Sequence, residues 1–274
     1  LAEGALMACR VTKRSKVALS SSLSPTFQQV IRTYCQAQAI ETTTVPTENP
    51  GIDGDTACLI VQYPNYFGYI EDLAKQSDAA HVEGALIVVS TDTTALGMFN
   101  PPGELGADIV TAEGQPLGIP ASFGGPYVGL FATKEEYIRQ MPSRLSGRTV
   151  DTHGKTGYVL TLQTREQHIR RERATSNICT STQLIALMVA AYMAIMGRRG
   201  LRETAELCYQ KAHYAAAEIA KLPGYATPVG GTFFNEFVIS CREPVQSTLD
   251  ALLEHKIIGG ADASERVANG IVFA

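Results

Sequence analysis

Runs of residues that are apolar almost throughout alternate with helix-like segments over the first half of the chain. Residues 57–63 and residues 85–91 (ALIVVST) are the clearest of these runs, and each has the length of a β-strand. A strand without a polar face must be covered on both sides, which is the situation of a parallel sheet between two layers of helices. The sequence therefore predicts an α/β fold with a parallel sheet covered on both faces.

The other elements continue this alternation. Ser24 precedes Pro25 at a typical helix start, and Thr133 and Glu136 have the spacing of a capping box for a further helix. We predict helices at residues 1–10, 25–39, 67–76, 181–196 and 201–222, and strands at residues 17–20, 41–46, 109–112, 128–133 and 158–163.

The last fifty residues have a different pattern. They predict a strand at 232–240, a helix at 245–255 and a strand at 271–273. We therefore predict a large domain with a linking helix at 1–222 and a small C-terminal α+β domain at 223–274. The chain opens within a predicted helix and closes within a predicted strand, where backbone groups would lack partners. We expect it to be a fragment with both domains truncated.

Charge, hydropathy and cysteine usage limit the class of protein. A net charge of −4 and an isoelectric point near 5.8 argue against a nucleic-acid partner, because such proteins present a basic face to the phosphates. No uninterrupted apolar run reaches the roughly 18 to 20 residues of a membrane span. The most apolar stretch, 184–196, is predicted to be a buried helix. The six cysteines are scattered without metal-ligand spacing, which predicts no metal site and favours a reduced, cytoplasmic location.

Asp92 and three glycine-rich loops are the first candidates for a site. The loops, at 97–106, 114–118 and Gly124-Gly125, match neither a dinucleotide fingerprint nor a P-loop, so each is interpreted as a tight turn. Asp92 follows an apolar strand, at the place where α/β proteins form ligand sites. Two interpretations stay open for it: a partner for a pyridinium nitrogen, or an aspartate that caps its own turn.

Residues 162–182 (LQTREQHIRRERATSNICTST) place a cluster of charged side chains directly before an apolar helix. Arginine forks, hydroxyls and the free N–H groups of a helix start suit a phosphate or a carboxylate. The alternative is a solvated loop whose charges pair with one another. His168 has the side chain of a general base, and its alternative is a hydrogen-bonded structural histidine.

Three segments carry a family resemblance. They are VQYPNYFGYIEDL (61–73), GQPLGIPASFGGPYVGLFATKEEYIRQMP (114–142) and LQTREQHIRRERATSNICT (162–180). They closely resemble the glycine decarboxylase P-proteins of the glycine cleavage system, and in wording they are nearer to the alpha subunit of the two-subunit form than to the single long chain. The resemblance covers essentially the whole chain.

The resemblance implies a fold, a reaction and partners. The fold is the aspartate-aminotransferase-like fold of enzymes that depend on pyridoxal phosphate (PLP), with a large doubly wound domain of mostly parallel sheet and a small α+β domain. The reaction is decarboxylation of glycine, with transfer of the aminomethyl group to the lipoyl arm of the H-protein. The implied partners are a beta subunit, the lipoylated H-protein and glycine.

One departure from the family pattern concerns the cofactor lysine, which holds PLP as a Schiff base. In relatives that have it, this lysine lies shortly before the loop that Gly124 and Gly125 match. Residues 113–120 (EGQPLGIP) contain no lysine, and the position falls near Gln115 or Pro116. The resemblance therefore implies that the lysine, and PLP with it, belong to the beta subunit.

Analogy with related PLP enzymes assigns roles to other residues. Thr175 is predicted to reach across the subunit interface to the phosphate of the partner's PLP. Asp92 is interpreted as the relic of a partner for the pyridine nitrogen, and Asn65 and Gly68 as relics of a substrate-side loop. The other predicted contacts to the partner's PLP are Ser176, Asn177, Arg170, Arg171 and Arg173.

Two rival functions remain open. The first is a self-sufficient PLP enzyme that uses an unusual lysine such as Lys155. The second is a scaffold that stabilises the beta subunit or docks the H-protein without contributing an active-site atom. PLP binding by the isolated chain would favour the first rival, and full turnover after loss of Thr175 and the arginines would favour the second.

Overall fold

A six-stranded sheet lies at the centre of the molecule. The computed structural model describes residues 1–142, 144–162, 167–176, 178 and 182–273, and the side chains of His168 and Arg173 fall outside this description. The strands are β1 (Lys16–Ser20), β2 (Glu41–Val45), β3 (Thr56–Tyr63), β4 (Leu86–Asp92), β5 (Ile109–Glu113) and β6 (Gly129–Thr133). Their order is β2-β1-β3-β4-β5-β6, and every neighbouring pair is parallel except β5–β6. The predicted mixed α/β architecture is confirmed.

Helices cover both faces of this sheet. They are α1 (Ala2–Thr12), α2 (Pro25–Gln36) and α3 (Leu73–Val82). Alternate residues of a strand point to opposite faces, so Cys58 and Ile60 of β3 pack with α1 and α2, whereas Leu59 and Val61 pack with α3. The apolar character of β3 follows from this burial on two sides.

The predicted helix at 67–76 is wrong over its first half, because α3 begins only at Leu73. Its N-cap is Asp72, whose carboxylate accepts a hydrogen bond from the Lys75 amide at 3.1 Å. Residues 67–72 are held in a loop by hydrogen bonds to the Asn65 side chain and to residues far along the chain. Local periodicity carries no signal for such distant partners.

The predicted capping box after β6 is also wrong. The Thr133 hydroxyl donates to the Asp108 carbonyl oxygen at 3.0 Å instead of capping a helix. A 3-10 helix, Glu135–Gln140, follows, and its N-cap residue is Lys134. The Thr133 hydroxyl thus forms a tertiary hydrogen bond to a neighbouring strand end and not the local bond that a capping box requires.

Two strands form a separate antiparallel hairpin: β7 (Leu145–Val150) and β8 (Thr156–Thr161). The sequence predicts β8 but not β7, because Ser146, Gly147 and Arg148 interrupt the apolar pattern of that strand. The hairpin is followed by α4 (Gln167–Arg170) and by a 3-10 turn, Arg171–Arg173.

A long helix, α5 (Gln183–Ile219), contains a break at Gly197, where φ is 59° and ψ is 180°. Only glycine adopts this backbone conformation readily. The break separates the two helices that the sequence predicts at 181–196 and 201–222.

The first half of α5 is exposed, so the prediction of a buried helix at 184–196 is wrong. Val189 is the one buried residue between positions 182 and 196, while Leu184 and Ile195 are 69% and 84% exposed. By length and composition α5 could also cross a bilayer. Core helices of soluble proteins meet the same criterion of length and composition. Apolar composition predicts that a helix is covered, but it does not say by what.

A smaller sheet follows α5. Its elements are β9 (Phe237–Ser240), α6 (Val245–Glu254), β10 (Ala261–Asp262) and β11 (Gly270–Phe273), with strand order β10-β11-β9 and antiparallel pairing. Its core contains Phe237, Val238 and Ile271, together with Ala216 of α5 and Tyr69. The predicted strand at 232–240 begins only at Phe237, and β10 is not predicted. The domain division at residue 222 stays a prediction.

Candidate active site

Strands β3, β4 and β5 run parallel and end at the same edge of the large sheet, where Tyr63, Asp92 and Glu113 are their last residues. Ligands of α/β proteins bind outside the carboxyl ends of the strands. The loops that follow these three strands therefore form the candidate active site of this chain.

Asp92 caps its own turn at this edge. Its Oδ1 atom accepts hydrogen bonds from the backbone amides of Thr94 at 2.6 Å and Ala95 at 3.3 Å. These bonds stabilise the 3-10 turn Ala95–Gly97 that follows β4. The capping interpretation of Asp92 is thus realised in the geometry, and its role as a relic of a nitrogen partner stays a prediction.

Glu236 is a second carboxyl group at this place, and the sequence analysis missed it. Burial and the nearby negative charge of Asp92 raise the pKa of Glu236. Glu236 directly precedes β9, far from Asp92 along the chain, so no spacing rule could have paired them. The negative charge of Asp92 thus disfavours ionisation of Glu236.

Asn65 organises the loop after β3. Its Oδ1 atom accepts hydrogen bonds from the amides of Phe67 and Tyr69, both at 3.0 Å, and its Nδ2 atom donates to Glu71 Oε1 at 2.7 Å. The side chain is buried, so these bonds use its polar groups within the loop itself.

Gly68 lets the same loop approach the segment before β9. The Phe234 amide donates to the Gly68 carbonyl at 3.0 Å, and the Ile70 amide donates to the Thr232 carbonyl at 2.8 Å. A Cβ atom at Gly68, where φ is 87°, would overlap the Glu236 carbonyl. Asn65 and Gly68 therefore have structural roles, and their interpretation as relics of a substrate-side loop stays a prediction.

The loop after β5 does not fit a covalently held PLP. Glu113 Oε1 accepts hydrogen bonds from the amides of Gln115 at 3.0 Å and Val128 at 2.9 Å, which closes the loop. Gln115 and Pro116 occupy the predicted lysine position, and neither can form an imine.

Neither Lys134 nor Lys155 replaces the missing lysine at this edge. Lys134 Nζ lies 2.5 Å from Asp108 Oδ1 in an ion pair, and this contact raises the pKa of Lys134. Lys155 lies in the turn between β7 and β8, on the separate hairpin. A cavity of about 700 Å³ beside the edge has Thr93, Thr94 and Pro116 in its wall, and none of the residues that line it is a lysine.

The predicted phosphate-contacting segment follows the β7–β8 hairpin and is described in part. Arg170 and Arg171 are exposed, and Thr175 and Ser176 are half-buried. Ser176 Oγ accepts a hydrogen bond from the Ile178 amide at 3.1 Å. The side chains of His168 and Arg173, and all of Asn177, lie outside the described residues.

The helix after this segment starts further along the chain than an N-cap at Thr175 would require. The N-cap residue of α5 is Thr182, and it forms no side-chain cap hydrogen bond. Within the described parts of the chain, no hydrogen bond connects Thr175 to Asp92. Among the described residues, no hydrogen bond therefore links the two predicted groups of site residues within one chain.

Asp108 forms a polar centre at the opposite, amino edge of the sheet. Its buried carboxylate accepts from the Ile87 amide at 2.8 Å, contacts His81 Nε2 at 2.8 Å and pairs with Lys134. The group joins α3, β4 and the segment after β6. This is a structural contact, because ligand sites of such sheets form at the other edge. No group of three potential metal ligands occurs in the described ranges.

Comparison with known proteins identifies the family. The family model for the glycine cleavage system P-protein matches residues 1–273. A protein of Desulforamulus reducens named probable glycine dehydrogenase (decarboxylating) subunit 1 is 48% identical over 271 residues, covering 96% of this chain and 61% of the relative. A protein of the same name from Thermomicrobium roseum is 49% identical, covering 95% and 60%. The chain thus spans about three fifths of the length of these relatives.

Solved structures confirm the fold. A crystal structure of glycine decarboxylase (P-protein) of the glycine cleavage system, in inhibitor-bound form, matches with a TM-score of 0.95 and 41% identity, covering 100% of this chain and 64% of that one. A sphingosine-1-phosphate lyase of Burkholderia pseudomallei matches with a TM-score of 0.65 at 15% identity, covering 100% and 63%, and shows the fold alone. The predicted fold class, that of the PLP-dependent aminotransferase-like enzymes, is confirmed. The chain belongs to the glycine cleavage system P-protein family.

Proposed function

We propose that this chain is part of the subunit of a two-subunit glycine decarboxylase that does not carry the cofactor lysine. The companion (beta) subunit holds PLP on its own lysine. Together the two subunits decarboxylate glycine and pass the aminomethyl group to the lipoyl arm of the H-protein. The observation that carries the proposal is the loop at 113–120, which belongs to a P-protein chain and contains no lysine.

The need for a companion is supported by a long stretch in which few side chains are buried. Of the described residues from 144 to 196, Val189 is the one that is buried. Tyr158, Leu184, Leu187 and Ile195 are among its exposed apolar side chains. Exposed apolar side chains concentrated in one part of a chain are typical of interfaces between permanently associated subunits. The relatives named subunit 1 point the same way, since that name requires another subunit.

The proposed contribution of this chain to the active site comes from the segment at 170–176. The Thr175 hydroxyl donates a hydrogen bond to the phosphate of the companion's PLP, and Arg170 and Arg171 lend positive potential. We extend the same role to Ser176, Asn177 and Arg173, and treat His168 as a further candidate. When bound, PLP supplies the electron sink for decarboxylation.

The carboxyl edge of this chain supports an inactive copy of the fold. Gln115 and Pro116 stand where the cofactor lysine would lie, and the Asp92 carboxylate accepts hydrogen bonds from the amides of its own turn. We therefore place the cofactor in the companion subunit alone. We also place the enzyme in the cytoplasm without a membrane partner, since the described cysteines Cys9, Cys35, Cys58, Cys208 and Cys241 are free thiols.

The rival with Lys155 as cofactor lysine has little geometric support, because that residue lies at the tip of a hairpin separate from the large sheet. The scaffold rival makes a different claim, namely that Thr175 and the arginines contact no cofactor. Substitution of Thr175 tests it, as argued in the Discussion.

Borohydride reduction tests the proposed function. Each subunit is incubated with PLP alone and in a mixture, reduced, digested and mapped by mass spectrometry. We expect a phosphopyridoxyl-lysine on the companion only, and glycine decarboxylation only in the mixture. A reduced adduct on any lysine of this chain without the companion would overturn the proposal. A companion whose cofactor lysine is changed to alanine is the matched control, and it should lose the adduct.

A further inference from the structure

The β7–β8 hairpin, residues 145–161, has no buried residue and forms its own two-stranded sheet. We call it the hairpin arm. In its register Arg148 lies opposite Tyr158, Ser146 opposite Leu160 and Val150 opposite Thr156. Opposite residues share a face and alternate residues share a face, so Val150, Tyr158 and Leu160 lie on one face with Arg148.

Two apolar side chains of this face are largely exposed to solvent. Val150 is 62% exposed and Tyr158 is 73% exposed. A two-stranded hairpin is marginally stable in water without a third strand or a packed surface on its apolar side. The hairpin arm therefore lacks the covering that a sheet of this size requires.

The tip of the hairpin arm is nevertheless well organised. Asp151 Oδ1 accepts hydrogen bonds from the amides of His153 at 2.8 Å and Lys155 at 2.9 Å, and the Asp151 amide donates to the Lys155 carbonyl at 2.9 Å. A preformed tip reduces the conformational entropy lost on binding. These bonds also engage the only acidic side chain of the hairpin.

The charge of the hairpin arm decides what kind of surface covers it. Arg148 and Lys155 are exposed, and the ion pairs within the described part of the chain involve other residues. The hairpin is thus basic on a chain whose net charge is −4. Arginine and tyrosine, paired here across the strands, are also enriched at the energetic centres of protein interfaces.

Two other occupants fit these observations less well. A symmetric contact between two hairpin arms would bring Arg148 and Lys155 of both copies together, which like charges oppose. A nucleic acid would leave Val150, Tyr158 and Leu160 without apolar partners along a phosphate backbone. A different protein with an acidic rim around an apolar centre satisfies both the charge and the apolar face.

We propose that the hairpin arm binds the companion subunit, with Tyr158 and Val150 in an apolar depression and Arg148 and Lys155 against acidic side chains at its rim. The inference rests on the proposed function, which supplies a companion subunit. The hairpin arm directly precedes the segment of Thr175, which is proposed to reach the same subunit. One continuous stretch of chain then serves both contacts.

Paired variants test the hairpin arm in the full chain with its companion subunit. The double variant Val150→Thr with Tyr158→Thr places β-branched side chains, which suit a strand, at both positions and removes two of the three apolar side chains of this face. We expect the dissociation constant for the companion to rise by about ten- to a hundredfold. Arg148→Glu should slow association and remove much of its dependence on salt. Ile258→Thr is the matched control, because Ile258 lies between α6 and β10 and is 87% exposed. This variant should bind the companion like the wild type.

Hydrogen exchange supplies the second readout, because it does not depend on the variants folding. Amides of β7 and β8 should exchange rapidly in the isolated chain and become protected when the companion is added. Unchanged binding of the double variant, or companion binding without protection of the hairpin amides, would overturn the inference and leave the proposed function intact. Protection by self-association, by the H-protein alone or by RNA would overturn it too. If the wild type does not bind the companion, the proposed function fails with it.

Discussion

Thr175 is the residue at which a cofactor contact and a structural role predict different results. If its hydroxyl donates to the companion's PLP phosphate, Thr175→Ala removes a charge-assisted hydrogen bond worth about 1.5 to 3 kcal/mol. We expect the PLP affinity of the assembled enzyme to fall by roughly one to two powers of ten. PLP titration of the mutant complex, followed by absorbance, measures this.

The conservative change Thr175→Ser is the control, since it keeps the hydroxyl and should recover much of the affinity. Assembly should stay nearly unchanged, because one phosphate contact is a small part of a large interface. The N-cap of α5 at Thr182 argues against a capping role for Thr175. A lower thermal midpoint with unchanged PLP binding would remove Thr175 from the active site and favour the scaffold rival.

Glu236 gives a prediction for the dependence of stability on pH. Its folded-state pKa is raised above the ordinary value of 4.5 by burial and by Asp92. The stabilisation contributed by protonated Glu236 is fully present below pH 4.5, and it is lost as the pH rises through the pKa of Glu236 in the folded protein. Glu236→Gln should therefore raise the thermal midpoint at pH 7 and change it little at pH 4. Glu254→Gln, on an exposed residue of α6, is the control and should show no such difference.

Single residues also show where sequence reasoning stops. Asp92 could be predicted as a site candidate because a strand end is visible in the sequence. Glu236 could not be predicted as a site candidate. It approaches Asp92 only because the segment before β9 folds onto the loop that contains Asn65 and Gly68. Asp108 was missed for the same reason, since its partners lie on two other elements.

At the scale of elements, Gly68 is the test of the contact between the loop after β3 and the segment before β9. Gly68→Ala places a Cβ atom on the Glu236 carbonyl and also requires a positive φ. Gly51 has a positive φ with open space around it, so Gly51→Ala isolates the conformational cost, about 1 to 2 kcal/mol. We expect Gly68→Ala to lower the free energy of unfolding, measured in urea, by clearly more than Gly51→Ala does. Equal costs would mean that the loop moves away easily.

The predicted elements succeeded where burial and local pattern agree. The parallel strands β1, β3 and β4 were found because both of their faces are buried, which leaves an apolar run in the sequence. Strand β7 was missed because it packs on no core, and residues 67–72 were misassigned because their hydrogen-bond partners are distant. The capping box at Thr133 failed because its hydroxyl bonds to another strand end.

At the scale of the whole molecule, the uncovered stretch at 144–196 predicts how the isolated chain behaves. The isolated chain should bind a hydrophobic dye strongly, and addition of the companion subunit should suppress the fluorescence of the bound dye. Companion at a hundred times its dissociation constant should add about 2.7 kcal/mol of stability, or a rise in the thermal midpoint of about 5 to 10 °C. A monodisperse monomer that gains no stability from the companion would contradict the proposed assembly.

Part of the candidate site can be predicted from this chain alone, although the proposed active site is shared by two subunits. Absence of a lysine from 113–120 is visible in the sequence and needs no structure. The arrangement of Thr175 and the arginines around a cofactor could not be predicted or observed within this chain, because the proposed cofactor belongs to another subunit. Exposure of the first half of α5 reversed the expectation of a core helix, because an apolar composition predicts burial and most of these side chains pack on no core of this chain.

Gly197 has a geometric consequence for the long helix α5. A continuous helix keeps one axis from end to end. Gly197 departs from helical geometry between the first half of α5 and the half whose Ala216 packs into the small sheet's core. The helix axis can therefore change direction at this one glycine. Leu201 beyond the break packs in the same apolar cluster as Ile185 and Tyr192 before it, so side-chain packing across the kink fixes the direction in which the second half leaves.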